Sequence, residues 1–306
     1  MIQTFSIDDE ISGNSFHNNL SFLYFWVSPH LCPFLFKRRD KDEVKLRIMF
    51  GVCQLSVVPI RSKPADVAEI VSQLLFGETY KIIEKRRKWT KIECAYDGYV
   101  GWIDAKQTTI IEEKVFNKLQ ESCSYALELV DHAVTPTNFI PILMGSNLPD
   151  YDGVNFRMNG TRYTYNGQII NPSEVNVTLD LVFKIARRYL YAPYLWGGRS
   201  PFGIDCSGFT QTVFKMVGIK LKRDASQQVH QGEVVDFYEE ARPGDLAFFE
   251  NTKGKIVHVG LLLPENKIIH ASGQVRIDGF DKKGIYNHDI SKYTHKLRIV
   301  KRYFNI

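Results

Sequence analysis

The chain has 306 residues, of which 44% are apolar and 24% are charged, as in an ordinary soluble globular protein. Its formal net charge of +5 is too dilute to indicate a nucleic-acid-binding protein, and no dense Lys/Arg stripe with interleaved aromatic residues occurs. The length favours two or three domains.

Five cysteines are spread widely along the chain: Cys32, Cys53, Cys94, Cys123 and Cys206. The sequence contains no CxxC pair and no Cys/His ligand cluster, so it predicts neither a structural zinc site nor a disulfide framework. Walker A, GxGxxG and HExxH motifs are also missing from the sequence. We therefore expect no metal and no other cofactor.

Residues 1–48 are predicted to form a poorly structured N-terminal extension. Residues 20–36 are mostly apolar, but polar residues and prolines interrupt them, and the basic cluster Lys37-Arg38-Arg39 follows the apolar run. This order is the reverse of a secretory signal, and the run is short for a membrane span. We expect a cytoplasmic protein without a stable membrane span. A periplasmic or exported protein is the alternative if residues 1–36 act as a signal.

Residues 49–110 show short strand patterns separated by turns, which favours a small β-barrel. A short helix is predicted at residues 65–75. Residues 111–175 indicate a second small β unit, with a strand at residues 139–143 and a closing hairpin around Asn166-Gly167.

After Pro172 the apolar spacing changes to that of a helix, and residues 177–191 are predicted to form an amphipathic one. The last domain is therefore expected at residues 176–306. Within it, a Gly- and Pro-rich loop ends at Asp205-Cys206-Ser207-Gly208, and a second helix pattern follows up to Gly218. Cys206 would lie at a helix N-terminus, where the partial positive charge favours the thiolate that acyl-transfer chemistry needs.

Two downstream histidines could supply the base that a thiol nucleophile requires. His258 and His270 lie in consecutive strand patterns, 12 residues apart (270 − 258), with a turn at Pro264-Glu265-Asn266 between them. Such a hairpin can bring both rings side by side, so we predict His258 as base and His270 as its orienting partner. Taken alone, either histidine would more simply be interpreted as a hydrogen-bonded residue of the core than as a catalytic group. The remaining histidines with no partner signal are expected on the surface or in packing: His132, His230, His288 and His295.

Five motifs occur in the order YLWGG, DCSGF, RPGDLAFF, HVGLLL and HASG. Together they resemble the NlpC-type cysteine peptidases of bacterial cell-wall metabolism, over about residues 176 to 290. The resemblance implies an α+β, papain-like catalytic domain with helices packed on an antiparallel sheet. It also implies Cys206 as nucleophile, His258 as general base and His270 as the third polar residue.

The segment VVPIRSKP to GYVGWID resembles a bacterial SH3-type domain, and residues 111–175 resemble a second, more divergent one. The expected fold is therefore the papain-like domain preceded by two small SH3-like β-barrels. This layout is similar to that of the YkfC-like γ-D-glutamyl-L-diamino-acid endopeptidases. These enzymes act on murein peptides that have a free N-terminal L-Ala, and they cut the bond that follows D-Glu. We expect murein-derived peptides as the partner, no nucleic acid, and a monomer.

The resemblance also implies a substrate pocket that the first SH3-type domain closes at one end. Negative charge for an α-ammonium group would come from Glu69 and Asp205, since an ammonium buried without such partners is costly. Hydroxyls and walls would come from Tyr99 and Tyr194. By motif position, Tyr194, Asp205, Ser207 and Ser226 would line the pocket, and Glu69 and Tyr99 are the best matches for the contribution of the first SH3-type domain.

Two other functions remain open on this sequence. The same fold could carry an amidase that cuts between muramic acid and L-Ala, or an acyltransferase, and an open cleft without the SH3-type wall would favour either. The chain could also be a wall-binding protein with an inactive catalytic domain, which predicts no thiol reactivity at Cys206.

Overall fold

The computed structural model describes residues 48–121 and 123–304. The predicted N-terminal extension lies outside the described residues apart from Ile48, and Cys32 also lies outside them. The described residues, 48–121 and 123–304, belong to one compact unit. Among the helices of the described residues, none combines the length and the apolar character needed to cross a membrane.

Residues 49–111 form a seven-stranded antiparallel sheet. Its strands are β1 (Met49–Val52), β2 (Val57–Arg61), β3 (Ile70–Leu75), β4 (Thr79–Lys85), β5 (Trp89–Cys94), β6 (Val100–Asp104) and β7 (Thr109–Ile111). They are ordered β3-β2-β6-β5-β4-β1-β7. Alternate apolar residues such as Ile82 and Ile92, which are paired across β4 and β5, fill one core.

The helix predicted at residues 65–75 is wrong, because β3 occupies its second half. Leu74 of β3 lies in the core of the sheet, while Ser72 and Gln73 hydrogen-bond to arginines of the C-terminal domain. A strand that is covered on both faces loses the polar–apolar alternation that identifies strands in a sequence.

Residues 112–170 form a second β unit with two small antiparallel sheets, ordered β10-β9-β13-β12 and β11-β8-β14. Its elements are α1 (Glu113–Lys118), β8 (Cys123–Ala126), β9 (Val130–Val134), β10 (Phe139–Leu143), β11 (Asn147–Pro149), β12 (Asn155–Met158), β13 (Thr161–Thr164) and β14 (Ile169–Ile170). Phe50 and Phe76 of the first sheet share a core with Phe156 and Tyr163 of this unit. The two units are therefore packed together, and a boundary between residues 110 and 111 stays a prediction.

The hairpin predicted around Asn166-Gly167 is wrong. The hairpin turn lies at the other Asn-Gly pair, Asn159-Gly160, which joins β12 to β13. Both of its residues have positive φ angles, 48° and 80°, as the favoured two-residue hairpin turn requires. β14 pairs with β8 instead of β13, so Asn166-Gly167 serves as a connection.

The C-terminal domain begins with three helices and a short hairpin: α2 (Leu179–Arg188), β15 (Arg199–Ser200), β16 (Gly203–Ile204), α3 (Cys206–Met216) and α4 (Ala225–Gln228). The predicted amphipathic helix is confirmed as α2, which starts after the N-cap Thr178 and buries Val182 and Ala186. Every residue of α3 is buried, including Lys215 near its C-terminal end. Protein therefore surrounds the helix on all sides.

The strands that follow form a closed barrel. They are β17 (Glu233–Val235), β18 (Leu246–Glu250), β19 (Ile256–Leu263), β20 (Lys267–Ser272), β21 (Gln274–Asp281), β22 (Gly284–Asn287) and β23 (Lys292–Arg302). Strands β18 to β23 pair in sequence, and β23 pairs back with β18, while β17 extends β23. One face of β18, β19 and β20 shares a core with α2 and α3. The alternate residues, such as Phe249 and Ile268, fill a separate core.

Candidate active site

The predicted helix start at Cys206 is confirmed, since Cys206 is the first residue of α3. Asp205 is the N-cap, and its Oδ1 accepts a hydrogen bond of 2.7 Å from the backbone N–H of Gly208. An aspartate at this position satisfies one of the free N–H groups at the helix start. The Asp-Cys-Ser-Gly sequence therefore fixes both the start of the helix and the place of the thiol.

The surroundings of Cys206 oppose the thiolate in the resting protein. Burial raises the pKa of the thiol to about 12, and the negative charge of Asp205 adds to this effect. A backbone hydrogen bond with Val259 acts in the opposite direction but does not outweigh them. Burial thus opposes the partial positive charge that the helix start is expected to supply, and the thiol needs a base to lose its proton.

The two predicted histidines lie side by side, as expected. His258 Nε2 lies 2.8 Å from His270 Nδ1, and both residues are buried. β19 places His258 next to Val259, which contacts Cys206, so the histidine pair and the nucleophile belong to packed elements. Gly260 lies opposite the His270 side chain, and a Cβ there would come within 3.0 Å of His270 Cβ. The glycine after the motif histidine therefore leaves room for the second ring.

Two further residues adjoin the histidine pair and were missed in the sequence. Asp278 of β21 lies 3.1 Å from His270 Nε2 through its Oδ2 atom. His295 of β23 was expected on the surface or in packing, and its ring stacks on that of His258 with a centroid distance of 4.1 Å. Burial, then the neighbouring His270 and His295, hold the pKa of His258 well below its usual value. His258 is thus neutral at rest, as a base must be.

The three histidines also have the donor atoms of a zinc site. One ring nitrogen from each of His258, His270 and His295 lies within 4.8 Å of the others. The rings of His258 and His295 are stacked with planes only 25° apart, so their in-plane lone pairs lie in separate, nearly parallel planes, which disfavours binding of one ion by both. Both nitrogens of His270 already have partners. The arrangement fits proton transfer better than metal binding.

Asp205 also forms a buried ion pair with Arg223. Arg223 donates to both of its carboxylate oxygens, at 3.0 Å and 2.6 Å, and both side chains are buried. Arg223 also donates to Ser207 Oγ at 3.0 Å and to Ser72 Oγ of the first sheet at 3.0 Å. Arg223 therefore offsets part of the negative charge of Asp205, and the role of this carboxylate in binding an α-ammonium stays a prediction.

The other predicted pocket residues of the C-terminal domain differ in exposure. Tyr194 is half-buried, and burial followed by the nearby Cys206 and Asp205 raises its pKa to about 12, so its hydroxyl stays protonated. Ser207 is buried and donates to Asp205 Oδ1 at 3.2 Å. Ser226 is exposed on α4. Tyr194 is thus the residue of this group that combines proximity to the thiol with partial exposure.

The first sheet contributes two predicted residues, Glu69 and Tyr99. Trp196 of the YLWGG motif donates from Nε1 to Glu69 Oε1 at 2.6 Å. The half-buried Tyr99 hydroxyl lies beside the carboxylate of Asp224, and burial followed by this carboxylate raises the pKa of Tyr99 to about 12. Burial likewise raises the pKa of Asp224, the residue directly after Arg223. Asp224 was missed because its position in RDASQQ suggests only a helix cap.

A buried ionic cluster joins α3 to the first sheet. Glu78, in the turn before β4, accepts from Arg199 at 2.7 Å and 2.8 Å and from Lys215 at 2.7 Å. All three side chains are at most 4% exposed. Lys215 belongs to the helix that begins at Cys206, so the cluster fixes the far end of that helix. No local sequence pattern indicated this contact.

Two family profiles match separate parts of the chain. The NlpC/P60 family profile matches residues 191–294, and the profile of the bacterial dipeptidyl-peptidase SH3 domain matches residues 60–107. The first match contains Cys206, His258 and His270, and the second contains Glu69 and Tyr99. The profiles therefore coincide with the two parts of the structure that face each other at Trp196 and Glu69.

Individual proteins are similar over larger parts of the chain. A γ-D-glutamyl-L-lysine dipeptidyl-peptidase of Bacillus cereus is 28% identical, over 66% of this chain and 67% of its own length. A probable endopeptidase of Haemophilus influenzae is 34% identical, over 38% of this chain and 71% of its own length. The crystal structure of an NlpC/P60 family protein from Bacillus cereus superposes with a TM-score of 0.71 at 21% identity, covering 83% of this chain and 99% of that one. The fold is therefore shared.

Proposed function

The chain belongs to the NlpC/P60 family and carries an SH3-like domain, and on this basis we propose that it is a cysteine peptidase acting on murein peptides. The bond that we propose it cuts joins the γ-carboxyl of D-Glu to an L-diamino acid, either diaminopimelate or lysine. The observation that carries the proposal is the 2.8 Å contact of His258 with His270 on strands packed against the helix of Cys206. The name of the Bacillus cereus relative supports the bond.

In the proposed reaction the Cys206 sulfur attacks the γ-carbonyl carbon of D-Glu while His258 takes the thiol proton. Because the pKa of the thiol is raised and that of His258 is lowered, proton transfer accompanies attack instead of preceding it. The backbone N–H of Cys206, at the start of α3, is a donor for the oxyanion. His258 then protonates the departing amine of the diamino acid as the C–N bond breaks, leaving a thioester.

Hydrolysis of the thioester completes the cycle. His258, neutral again, takes a proton from water, and the hydroxide attacks the thioester carbon. The C–S bond breaks, the D-Glu γ-carboxylate leaves, and the proton on His258 returns to Cys206. The protein needs no group beyond these side chains and water for this sequence of bonds.

Two half-buried polar groups, the Asp224 carboxylate and the Tyr99 hydroxyl, support a substrate with a free N-terminal amine. We propose that the half-buried carboxylate of Asp224, with the adjacent Tyr99 hydroxyl, binds the α-ammonium of L-Ala. Burial disfavours the charged form of Asp224, and a bound cation would stabilise that form. Tyr194 would line the pocket beside the thiol, while Asp205 and Ser207 shape it through Arg223. Glu69 would hold Trp196 at the rim, and the exposed Ser226 lies outside this set.

The first test uses the tripeptide L-Ala-γ-D-Glu-diaminopimelate and measures release of the diamino acid by mass spectrometry. Cys206→Ala should lower the rate by roughly 10³-fold or more, because the nucleophile is lost. Cys123→Ala is the matched control, since Cys123 is a free thiol in another part of the fold. Release that persists at the wild-type rate in Cys206→Ala would contradict the proposal.

The second test compares this tripeptide with its N-acetylated form. The acetylated peptide should be cleaved about 100-fold or more slowly, because it leaves the Asp224 carboxylate without its cation. Asp224→Asn should reduce the difference between the two peptides. Equal cleavage of both by the wild-type protein would contradict the ammonium site. It would favour an amidase or another enzyme of this fold, whose cleft must accept a blocked amine.

A further inference from the structure

The contacts of His258 with His270 continue to a third buried residue, Asp278. His258 Nε2 lies 2.8 Å from His270 Nδ1, and His270 Nε2 lies 3.1 Å from Asp278 Oδ2. All three residues are at most 5% exposed, so water cannot substitute for any of these contacts. Asp278 is thus joined to the base through one intervening ring.

The charge of Asp278 determines which nitrogen of each ring carries a proton. Burial opposes ionisation of Asp278, but hydrogen bonds from His270 and Arg276 more than compensate and lower its pKa. An ionised carboxylate only accepts hydrogen bonds, so His270 Nε2 must be protonated. In a neutral ring His270 Nδ1 is then an acceptor, and His258 Nε2 must donate to it. The lone pair of neutral His258 is therefore on Nδ1.

We propose that Asp278 is a positioning residue that fixes the tautomers of His270 and His258 and so gives the base a free Nδ1. The inference rests on the proposed function, because it assigns Asp278 a part in the proton transfer from Cys206. Asp278 touches neither the substrate nor the thiol, and it acts through His270 alone.

The register of the sheet explains why β21 supplies this carboxylate. His270 of β20 is paired with Arg276 of β21, and Asp278 follows two residues later on the same face of the strand. Arg276 Nη2 donates to Asp278 Oδ1 at 2.9 Å, and Arg276 Nε lies 2.9 Å from Oδ2. Arg276 is held in turn by Asp289 at 2.6 Å. The carboxylate therefore has a fixed orientation toward His270.

The same carboxylate stabilises the positive charge that His258 acquires during the reaction. His270 on β20 and His295 on β23 place titratable groups against His258, and Cys206 lies on α3, which packs against the strand of His258. Arg276, with its partner Asp289, offsets part of the charge of Asp278. Since Asp278 is the buried anion in this set, its neutralisation makes His258 harder to protonate. The limb of the pH–rate profile that reports His258 then moves to lower pH.

The test is Asp278→Asn in the full-length protein, with cleavage of L-Ala-γ-D-Glu-diaminopimelate as the readout. We expect kcat to fall about 10- to 100-fold, with KM changed by less than about twofold, because substrate contacts are untouched. The limb governed by His258 should move to lower pH. Asp281→Asn is the matched control, since Asp281 lies on the same strand and contacts Tyr293 and turn N–H groups instead of a histidine. Asp278→Glu, which restores the charge, should recover part of kcat and the original pH limb.

Two results would overturn the inference while leaving the proposed function intact. One is a wild-type kcat and pH profile in Asp278→Asn of a protein whose activity depends on Cys206. The other needs no variant: ¹⁵N NMR of the wild-type histidines should show a proton on Nε2 of His258 and of His270, and the opposite tautomer of either contradicts the argument. If the wild-type protein does not cleave the peptide, or if Cys206→Ala does, it is the proposed function that fails.

Discussion

Glu78→Gln tests whether the buried ionic cluster holds the first sheet and the nucleophile helix together. Glu78 is the one anion between Arg199 and Lys215 within this cluster. The amide keeps the shape of the side chain but removes its charge, so two buried cations remain without their counter-ion. An uncompensated buried charge is among the most destabilising changes that a single substitution can make.

The surroundings of Glu78 determine how much folding free energy the Glu78→Gln variant is expected to lose. Burial opposes the charged form of Glu78, but Arg199 and Lys215 outweigh burial and lower its pKa from 4.5 to about 2. The difference of about 2.5 units corresponds to about 3 kcal/mol of folding free energy at pH 7, at 1.36 kcal/mol per unit. Breaking a buried ion pair by removing one partner costs about 3–5 kcal/mol in other proteins, which agrees.

The contribution of Glu78 to the free energy of unfolding depends on pH in a definite direction. A carboxyl whose pKa is lower in the folded than in the unfolded protein stabilises the fold above its unfolded pKa. Its contribution is lost as the pH falls through the folded pKa. For Glu78 the window runs from about pH 5 down to about pH 2. The wild-type advantage over Glu78→Gln should therefore shrink from about 3 kcal/mol at pH 7 to about 1 kcal/mol at pH 3.

Urea unfolding followed by tryptophan fluorescence at both pH values measures these free energies. Glu93→Gln is the matched control in the same sheet, because Glu93 pairs with Lys81 at 3.6 Å on the surface. It should change the free energy of unfolding by less than about 0.5 kcal/mol. A loss below about 1 kcal/mol in Glu78→Gln, or a loss of equal size at both pH values, would refute the reasoning.

Two other substitutions probe the site, one in strand β19 and one in the segment between α3 and α4. In Gly260→Ala the new Cβ would lie 2.7 Å from Ile268 Cδ1 and 3.0 Å from His270 Cβ, so we expect a displaced His270 and about a tenfold or greater fall in kcat. An unchanged kcat in the tripeptide assay would show that the ring tolerates the contact. In Arg223→Lys the bidentate contact with Asp205 is lost, and thermal unfolding should show about 2–4 kcal/mol less stability. A melting temperature within 1–2 °C of wild type, roughly 0.5 kcal/mol, would contradict this.

The helix start at Cys206 and the contact between His258 and His270 could be predicted because the sequence signals for both are local. The Asp-Cys-Ser-Gly sequence contains its own helix cap, and the strand pattern around His258 and His270 includes its own turn. Each pattern needs fewer than about 20 residues of sequence to be recognised. The family resemblance then added only the roles of the side chains.

The residues that were missed depend on contacts between distant parts of the chain. Asp278 and Asp281 look alike in the sequence of β21, and only the register with β20 shows which one faces His270. Glu78 and Lys215 are 137 residues apart, and each looks like a surface residue in its own segment. Single-sequence patterns contain no information on such pairings. The same limitation explains why β3, covered on both faces, was mistaken for a helix.

The contacts of α3 bear on what the SH3-like domain does in this protein. The helix, together with Arg223, which binds its N-cap Asp205, meets the first sheet near Cys206, in the middle and near the far end. These contacts are Arg223 with Ser72 at 3.0 Å, Gln211 with Asp97 at 2.9 Å, and Lys215 with Glu78 at 2.7 Å. A domain that serves only as a wall anchor would be joined through a flexible linker and a small polar interface.

These contacts are short and directional, so they fix the orientation of the sheet relative to the helix. The sheet therefore holds the helix that carries Cys206, and through Asp97 it also holds Tyr99, whose backbone N–H donates to Asp97 Oδ1 at 2.8 Å. One aspartate thus connects the proposed ammonium site to the nucleophile helix. The position of the pocket wall relative to the thiol is fixed by the fold itself, which is what selection by the length of a short peptide requires.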